Sequence, residues 1–598
     1  MPLMGSIYVG TSGLQTGQNA LNTTAHNLSN MDTTGYVRQQ VLLADRLYNT
    51  VRKGTTVTSS QQVGLGVTYD KVRQVRDYFL DQSYRRENGR AAFYSTSYEA
   101  MNEIEDLLDE LNDDASFNNS LTQMWKTFQE LSKTPDDTSV QRMLIQNAQS
   151  FLTNATQVYD GLVAYQSELN AHIREKVDRI NELGHTIENL NREIRKIEVG
   201  GIETANDMRD ARNQALDELS GLVSVTYNED LYGSVRVKVE GVDFVVSGEV
   251  YEMDIMPDSA TGFYTPYWKI NAKYTYDNEG DPVYDISSAH VFDTKQIIST
   301  EANTDVGALR SMIYLRGDKV ADFTDIPVKP KLPDSSKYPL GVSDPEYIKA
   351  VNAYQKELDK YDEKVDYYNH TIAQSVCMNI QAEFDQLIHN VVTTINDVLY
   401  DTYVKSKGAY MADDNGAPLQ IFQKISSDGY TYDPTHGTEE YEHWVFNEEN
   451  IDDDYYTDTL YSVANLQVNP TLILEAGKMK FRWPDGTVDY ETGQNLVEAF
   501  DSDIFVLNPN VTTKCSINTY YTNLVSQVAN SGAVYKNLSE SQDQTVASIQ
   551  NSREQVLGVS SDEELTTMIK FQNAYNAASR YINVVDEMLE HIINTLGH

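Results

Sequence analysis

The sequence has 598 residues, long enough for several domains, and 40% of them are hydrophobic, which excludes a wholly disordered chain. The formal net charge of -42 gives an acidic surface that repels phosphate backbones and anionic lipid, so nucleic acid and membranes are poor partners. The two cysteines, Cys377 and Cys515, exclude a disulfide framework or a multi-cysteine metal site, and each is expected to be a small buried hydrophobe.

The first element is a helix that carries almost no charge. Among the first 44 residues only Asp32 and Arg38 are charged. Apolar residues recur along it every seven positions, at Ile7, Leu14, Leu21 and Leu28. This spacing predicts one narrow apolar seam with small neighbours, and such a seam is too thin to hold a helix alone. The helix is therefore expected to need a helical partner.

The same segment lacks the features of a secretory signal. It has no basic region and no continuous apolar stretch before a cleavage site. No apolar run in the sequence approaches the roughly 18 residues needed to cross a bilayer. If the protein leaves the cell, we expect an export route that cleaves nothing.

A turn is predicted after the first helix. Asn27, Asn30 and Asp32 can cap the helix end and bond to neighbouring backbone, and Gly35 tolerates a positive φ that other residues resist. Tyr36 then begins an extended segment. The turn is expected to fix how this segment leaves the helix.

Helical patterns follow over residues 78–134 and in a long helix from Leu169 to Ile197. The long helix has apolar residues in 4-3 spacing, with one breach at Lys176, and ends at Gly200-Gly201. The next helix carries several Asp and Arg residues within residues 205–212. Such charges on a surface helix are more often solvated ion pairs than a catalytic carboxylate cluster.

Strand character begins at residue 235. Alternation over 235–240, a turn at Gly241 and a second run over 242–246 predict a hairpin, and short Tyr- and Val-rich strands continue to residue 300. Four prolines mark residues 325–345 as a linker or loop. Residues 346–402 then have the pattern of a long, largely buried helical region.

Residues 409–510 differ in composition, with 20 acidic against 4 basic residues and many Tyr and Gly residues. They predict a β-rich outward domain. His436, Glu439 and His443 lack the rigid spacing of a zinc site, and the Asp413–Gly416 turn lacks the acid that completes a calcium loop. The sequence contains no phosphate-binding loop, dinucleotide motif or nucleophile elbow. We therefore expect no catalytic residues, metal or cofactor.

The last element is a helix with an unbroken 3-4 apolar spacing. Ser560 or Ser561, followed by three acidic residues, gives it an N-cap and a favourable first turn. Its predicted seam consists of Met568, Phe571, Tyr575, Ala578, Ile582, Val585, Leu589, Ile592 and Leu596. We predict that this seam and that of the first helix meet as one coiled coil.

At both ends the residues resemble the bacterial flagellar axial proteins. Residues 27–36 (NLSNMDTTGY) are similar to the Asn-Leu-Ala-Asn-x-Asn-Thr-Pro-Gly-Tyr signature of that family, but Asp32 and Thr34 replace its usual Asn and Pro, which predicts a looser turn. Arg38 and Gln39 resemble the Gly-Tyr-x-Arg-Gln ending of the hook-associated members. Residues 558–580 are similar to the closing helix of those members, and residues 205–212 to a body segment that distinguishes them from the shorter rod proteins.

The resemblance implies a structural, non-enzymatic role at the hook–filament junction. It implies assembly of a ring from copies of the chain, contact with the hook protein and with the second junction protein (hook-associated protein 3), and an export chaperone that binds the C-terminal helix. It also implies type III export to the extracellular flagellum without a cleaved signal. Asn27, Asn30, Gly35, Tyr36, Arg38 and the two helical seams are the predicted assembly interface.

The predicted fold is mainly α with β insertions, in nested domains. Residues 1–60 with 559–598 form a terminal coiled coil. Residues 61–408 with 511–558 form a helical body with a β insert around 223–300, and residues 409–510 form the acidic outer domain. The alternatives are a hook or distal-rod axial protein, an adhesin-like display role of the Tyr-rich outer domain, and an enzyme inserted in that domain, which the missing motifs disfavour.

Overall fold

The computed structural model describes residues 3–46, 48–53, 60–108, 116–201, 203–276, 282–414, 416–427, 430–434, 436–437, 441–446 and 460–596. Within these ranges the helices are α1 (Leu3–Ser29), α2 (Tyr78–Leu108), α3 (Phe117–Leu131), α4 (Thr138–Glu198), α5 (Asn206–Leu222), α6 (Ala308–Arg316), α7 (Pro345–Tyr367), α8 (Val376–Lys405), α9 (Pro470–Leu474), α10 (Glu491–Asp501), α11 (Ile517–Leu557) and α12 (Ser561–Leu596). The chain is thus mainly helical, as predicted.

The strands are short and pair antiparallel with near neighbours in the chain. They are β1 (Gln39–Asp45), β2 (Asn49–Lys53), β3 (Ser60–Val63), β4 (Val67–Gln74), β5 (Val225–Glu229), β6 (Val235–Val239), β7 (Val242–Val246), β8 (Glu249–Val250), β9 (Met253–Pro257), β10 (Tyr264–Trp268), β11 (Lys273–Tyr276), β12 (Pro282–Asp285), β13 (Phe422–Lys424), β14 (Tyr430–Tyr432), β15 (Trp444–Phe446) and β16 (Leu466–Val468). β5 to β8 form a four-stranded sheet in chain order, and the pairs are β1–β4, β2–β3, β9–β10, β11–β12, β13–β16 and β14–β15. The predicted β insertions are confirmed.

The larger hydrophobic core lies where α3, α4, α8 and α11 meet. The ring of Phe117 on α3 lies 5.5 Å from Phe151, 5.0 Å from Phe384 and 4.8 Å from Tyr521, measured between centroids. These edge-on contacts join four helices around one side chain. Phe422 of β13 also contacts Phe151, at 6.1 Å. The described part of residues 409–510 therefore shares its core with the helical body.

A second core lies under the β5–β8 sheet, against α5 and the C-terminal half of α4. Along this half the buried line runs through Ile173, Val177 and Ile180. Lys176 therefore lies outside the seam. The predicted breach there is wrong, because the seam steps four residues from Ile173 to Val177 rather than three residues to Lys176. α4 spans both cores, and its start is fixed by Asp137, whose side chain accepts a hydrogen bond from the Ser139 N–H.

Both cysteines are buried and unpaired, as expected. Cys377 is 1% exposed and Cys515 is 5% exposed, and both belong to the larger core. Burial raises the pKa of the Cys377 thiol to about 12, so it stays protonated and behaves as a small apolar side chain.

Candidate functional site

The two ends of the described chain form one antiparallel pair of helices. Gly10 of α1 faces Ile582 of α12, and Gly17 faces Tyr575, so the position along one helix rises as the other falls. A Cβ atom at position 17 would lie 3.4 Å from the Cα of Tyr575. The two backbones are therefore separated by little more than one van der Waals contact. Such close approach requires residues without large side chains.

The face of α1 that meets α12 consists of small or polar residues. In steps of three and four they are Gly10, Gly13, Gly17, Ala20, Thr24 and Asn27. The predicted seam of Ile7, Leu14, Leu21 and Leu28 is half-buried on the flank of this face rather than at its centre. The predicted helix and partner are present, but the contact line is shifted, because the closest approach is made where side chains are smallest.

On α12 the predicted seam faces α1 along most of its length. Its half-buried and buried members are Met568, Phe571, Tyr575, Ala578, Ile582, Val585 and Leu589. Val585 is the most buried, at 3% exposure, whereas Ile592 is 37% exposed. The side chain of Leu596 lies outside the described residues. α12 thus extends beyond the stretch that α1 covers.

Asn27 is the centre of the hydrogen-bond network at the base of this pair. Its amide nitrogen donates to the carbonyl oxygen of Gln39 at 2.9 Å and to the carboxylate of Glu564 at 3.1 Å. Its amide oxygen accepts from the Gln39 N–H at 3.0 Å and from the Tyr36 hydroxyl at 2.8 Å. Asn27 is buried, so these four bonds satisfy the groups that folding removes from water.

Arg38 ties the extended segment to the start of α12. Its Nε donates to Glu564 at 2.8 Å, and its Nη1 lies 3.1 Å from the more exposed Glu563. Its backbone N–H donates to the carbonyl oxygen of Leu557 at 2.9 Å. Both the side chain and the backbone of Arg38 therefore hold the extended segment that follows α1 against α11 and α12.

The helical body contributes Asp210, on α5, to the same network. Its carboxylate accepts from the Val37 N–H at 3.2 Å and from the Gln74 side chain at 2.7 Å. Burial raises the pKa of Asp210 to about 7, although Val37, Arg76 and Gln74 each act to lower it. Asp210 thus holds the segment that leads into β1 and the end of β4 together next to the terminal helices.

The turn between α1 and β1 is closed by local bonds. Asn30 donates from its amide to the carbonyl oxygen of His26 at 3.0 Å, and the Tyr36 N–H donates to Thr33 at 3.1 Å. Gly35 has φ of +80°, a value that side chains other than glycine rarely permit. The roles predicted for Asn30 and Gly35 in shaping this turn match their positions.

A buried ion-pair network fixes the body directly beneath this site. Arg553 of α11 donates to Asp81 of α2 and to Asp217 of α5, each at 2.7 Å. Arg85 also donates to Asp217, at 2.7 Å. Burial acts to raise the pKa of Asp81, but Arg76 and Arg553 hold it below its usual value. Three helices distant in sequence are thereby held in one arrangement.

The structure brings together three sequence segments that were recognised separately: residues 27–39, 205–212 and 558–564. Sequence reasoning missed the contributions of Asp210, Gln74 and Glu564 to the network. It treated Asp210 as one of several solvated charges and Glu564 as a helix-dipole partner. The one available signal was that Asp210 and Glu564 lie in segments with recognisable motifs, whereas nothing in the sequence marked Gln74.

The histidines considered as metal ligands have protein partners. The Nε2 of His443 lies 3.1 Å from the Tyr400 hydroxyl, and its Nδ1 lies 2.7 Å from the carbonyl oxygen of His436. Glu439 and Asn415 lie outside the described residues. Among the residues described, no group of His, Cys, Asp and Glu has the arrangement of a metal site, and no helix is long and apolar enough to span a membrane.

Three family descriptions match the chain. "Flagellar hook-associated protein FlgK helical domain" matches residues 101–283, "Flagella basal body rod protein" matches residues 7–36, and "Flagellar basal body rod FlgEFG protein C-terminal" matches residues 555–595. The two rod descriptions coincide with the paired ends of the chain. The helical-domain description covers the whole of α3, α4 and α5 and the strands β5 to β11.

Similarity to individual proteins extends over the whole length. The chain is 26% identical to flagellar hook-associated protein 1 of Bacillus subtilis, over 98% of this chain and 96% of that protein. It is 22% identical to the protein of the same name from Escherichia coli, over 98% of each. The solved structure of the flagellar hook junction protein FlgK from Burkholderia pseudomallei aligns with a TM-score of 0.49 and 11% identity, over 80% of this chain and 100% of that one.

Proposed function

Because this chain resembles flagellar hook-associated protein 1 over nearly its whole length, we propose that it is a structural component of the bacterial flagellum that forms the junction between hook and filament. The helical-domain match over residues 101–283 favours this role over that of a rod or hook protein, since the terminal matches alone fit either. The role requires assembly rather than catalysis, and no catalytic residue is proposed.

The convergence of residues 27–39, 205–212 and 558–564 in one network is the observation that carries this proposal. A pair of helices with one thin seam has little stability of its own. The network fixes the base of the pair on the body and sets its direction. The proposed interface comprises the seam residues of α1 and α12, Asn27, Asn30, Gly35, Tyr36 and Arg38, which would pair further with neighbouring subunits.

The proposed partners are further copies of the chain in a ring, the hook protein and the second junction protein, hook-associated protein 3. An export chaperone would bind α12 before assembly, when its seam is not yet covered. Export is proposed to proceed without a cleaved signal. Each of these partners would use an apolar helical face that the chain leaves partly open, as Ile592 and its neighbours illustrate.

Deletion of residues 560–598 tests the proposal. It removes α12 and leaves the two hydrophobic cores intact, so we expect a folded, soluble body that no longer assembles at the hook end. The measurements are circular dichroism of the purified chain and electron microscopy of flagella in cells that carry only the deleted form. Normal filaments in those cells would refute the proposed junction role.

A matched pair of point variants separates the network from general effects of charge. Glu564 is 3% exposed and bonds to Asn27 and Arg38, whereas the adjacent Glu563 is 65% exposed. Glu564→Ala removes the acceptor of one N–H of the buried Asn27 amide and of the half-buried Arg38 Nε, at a cost of about 1–3 kcal/mol, and should impair assembly. Glu563→Ala should leave assembly near that of the parent, because an exposed ion pair contributes less than about 1 kcal/mol.

A further inference from the structure

A folded-back arm leaves the helical body between α6 and α8. We call residues 326–367 the arm: a proline-rich segment runs outward and α7 returns. Asp344 begins α7 by accepting a hydrogen bond from the Glu346 N–H at 3.0 Å, and Pro345 occupies the first turn. No residue of α7 is fully buried. The arm therefore stands off the two large cores.

Each half of the arm has one half-buried side. In the outward segment Pro327, Pro330 and Pro333 are half-buried and the residues between them are exposed, which is the three-residue repeat of a polyproline helix. Apart from Ala350, the half-buried residues of α7 follow a 4-3 spacing: Tyr347, Val351, Tyr354, Leu358, Tyr361 and Val365. The rings of Tyr338 and Tyr347, 5.4 Å apart, join the outward segment to α7 near the far end.

The base of the arm is anchored. Ile326 and Tyr368 belong to a small separate core with Ile372 and Met378. The Tyr368 hydroxyl donates to the side-chain oxygen of Asn379 on α8 at 2.5 Å. The small core holds the arm to the body at both chain crossings, and the hydrogen bond adds to it at the return crossing.

Residues 328–356, which we call the basic segment, include the far end of the arm and expose apolar and basic side chains together. Val328 is 79% exposed, Leu340 and Val342 are each 67% exposed, and Leu332 and Ile348 are also mainly in solvent. The same residues include five lysines against three acidic residues, in a chain whose formal net charge is -42. The near half of α7, residues 357–367, is acidic again.

We propose that the basic segment binds the acidic surface of a second copy of this chain. Identical subunits with this net charge repel one another when packed side by side. A positive, apolar tip on each copy opposes that repulsion, and burying its exposed aliphatic side chains adds a driving force that salt does not screen. The proposal rests on the proposed function, since it needs neighbouring copies in one assembly.

A photo-crosslinking amino acid at position 340 of the full-length chain tests the proposal in isolated flagella. Irradiation should give an adduct of about twice the mass of the chain, with a peptide from a second copy joined to the arm. Lys337→Glu with Lys349→Glu, two exposed lysines near the far end, should reduce its yield roughly fivefold, because two attractions become repulsions. Lys360→Glu with Lys364→Glu makes the same charge change near the base and should leave the yield unchanged.

The outcomes are distinct. Detection of the chain at the hook end by immunogold labelling, without a copy-to-copy adduct or with an adduct to another protein, would overturn the arm proposal and leave the junction role standing. Equal loss of the adduct in both lysine pairs would also overturn it. Absence of the parent chain from flagella would instead overturn the proposed function.

Discussion

Asn27 shows why a single amide suits the base of the terminal pair. It donates twice, to Gln39 and Glu564, and accepts twice, from Gln39 and Tyr36. An aspartate there would keep the shape but place a second negative charge beside Glu564 and lose both donated bonds. The sequence motif predicted a capping residue, but its link to Glu564 spans 537 positions, and no local pattern contains that information.

Glu383 is a carboxyl group buried beside the larger core, and its hydrogen-bond partners there are amides rather than a cation. Asn508 donates to it at 2.7 Å and Gln527 at 3.0 Å. Burial raises its pKa to about 7, although both amides act to lower it. The folded chain therefore retains a proton that the unfolded chain has lost between about pH 4.5 and 7. In that window stability falls as pH rises.

Glu383→Gln should remove this dependence at one position. At pH 8 the variant should be more stable than the parent by up to about 3 kcal/mol, because the cost of a buried charge disappears, whereas at pH 5 the two should be nearly equal. Urea unfolding at both values measures the difference. Glu357→Gln, on the exposed face of α7, is the matched control and should change neither value. An equal effect at both values would contradict the assignment.

At the scale of elements, the pairing of α1 and α12 depends on small residues as much as on apolar ones. Sequence periodicity correctly predicted both helices and nearly all of the α12 seam. It placed the α1 contact on Leu14 and Leu21 because counting apolar residues does not detect glycine, whose contribution is the space it leaves. In α4 the error had another cause: a step of three residues from Ile173 led to Lys176, whereas the buried line steps four residues to Val177.

Gly17→Val tests the close approach. The added β-branch meets the backbone of Tyr575, which cannot move as a side-chain end can, so the pair should lose about 1–3 kcal/mol and assembly should weaken. Gly5→Val changes helix propensity equally, and nothing lies within 4 Å of a Cβ at that position. Cysteine crosslinking between α1 and α12 would report pairing in each. Equal pairing in both variants would rule out the steric explanation.

At the scale of the whole molecule, stability is distributed unevenly. α4 buries side chains at nearly every turn and joins both cores, whereas among the described side chains of α12 only Glu564 and Val585 are fully buried. Local opening is easiest where few apolar contacts must be broken. The terminal pair is therefore able to open while the two cores of the body stay folded.

Hydrogen exchange on a dilute monomer should show this division. Amides of α1 and α12 should exchange within seconds, because opening the pair exposes little apolar surface, while those of residues 140–220 should stay protected. Mass spectrometry of peptic peptides would resolve the two regions. Strong protection of both ends in a verified monomer would show that the pair is stable without neighbours.

The antiparallel pair also acts as a check on completeness. During synthesis the amino end is made first, so α1 is present before the rest of the chain. Glu564, to which Asn27 donates a hydrogen bond, follows 537 positions later. Until that last helix has emerged, α1 has no partner and Arg38 has no carboxylate to bind. A truncated chain can complete both cores of its body and still present no finished terminal pair, so it would be rejected at the step where subunits join.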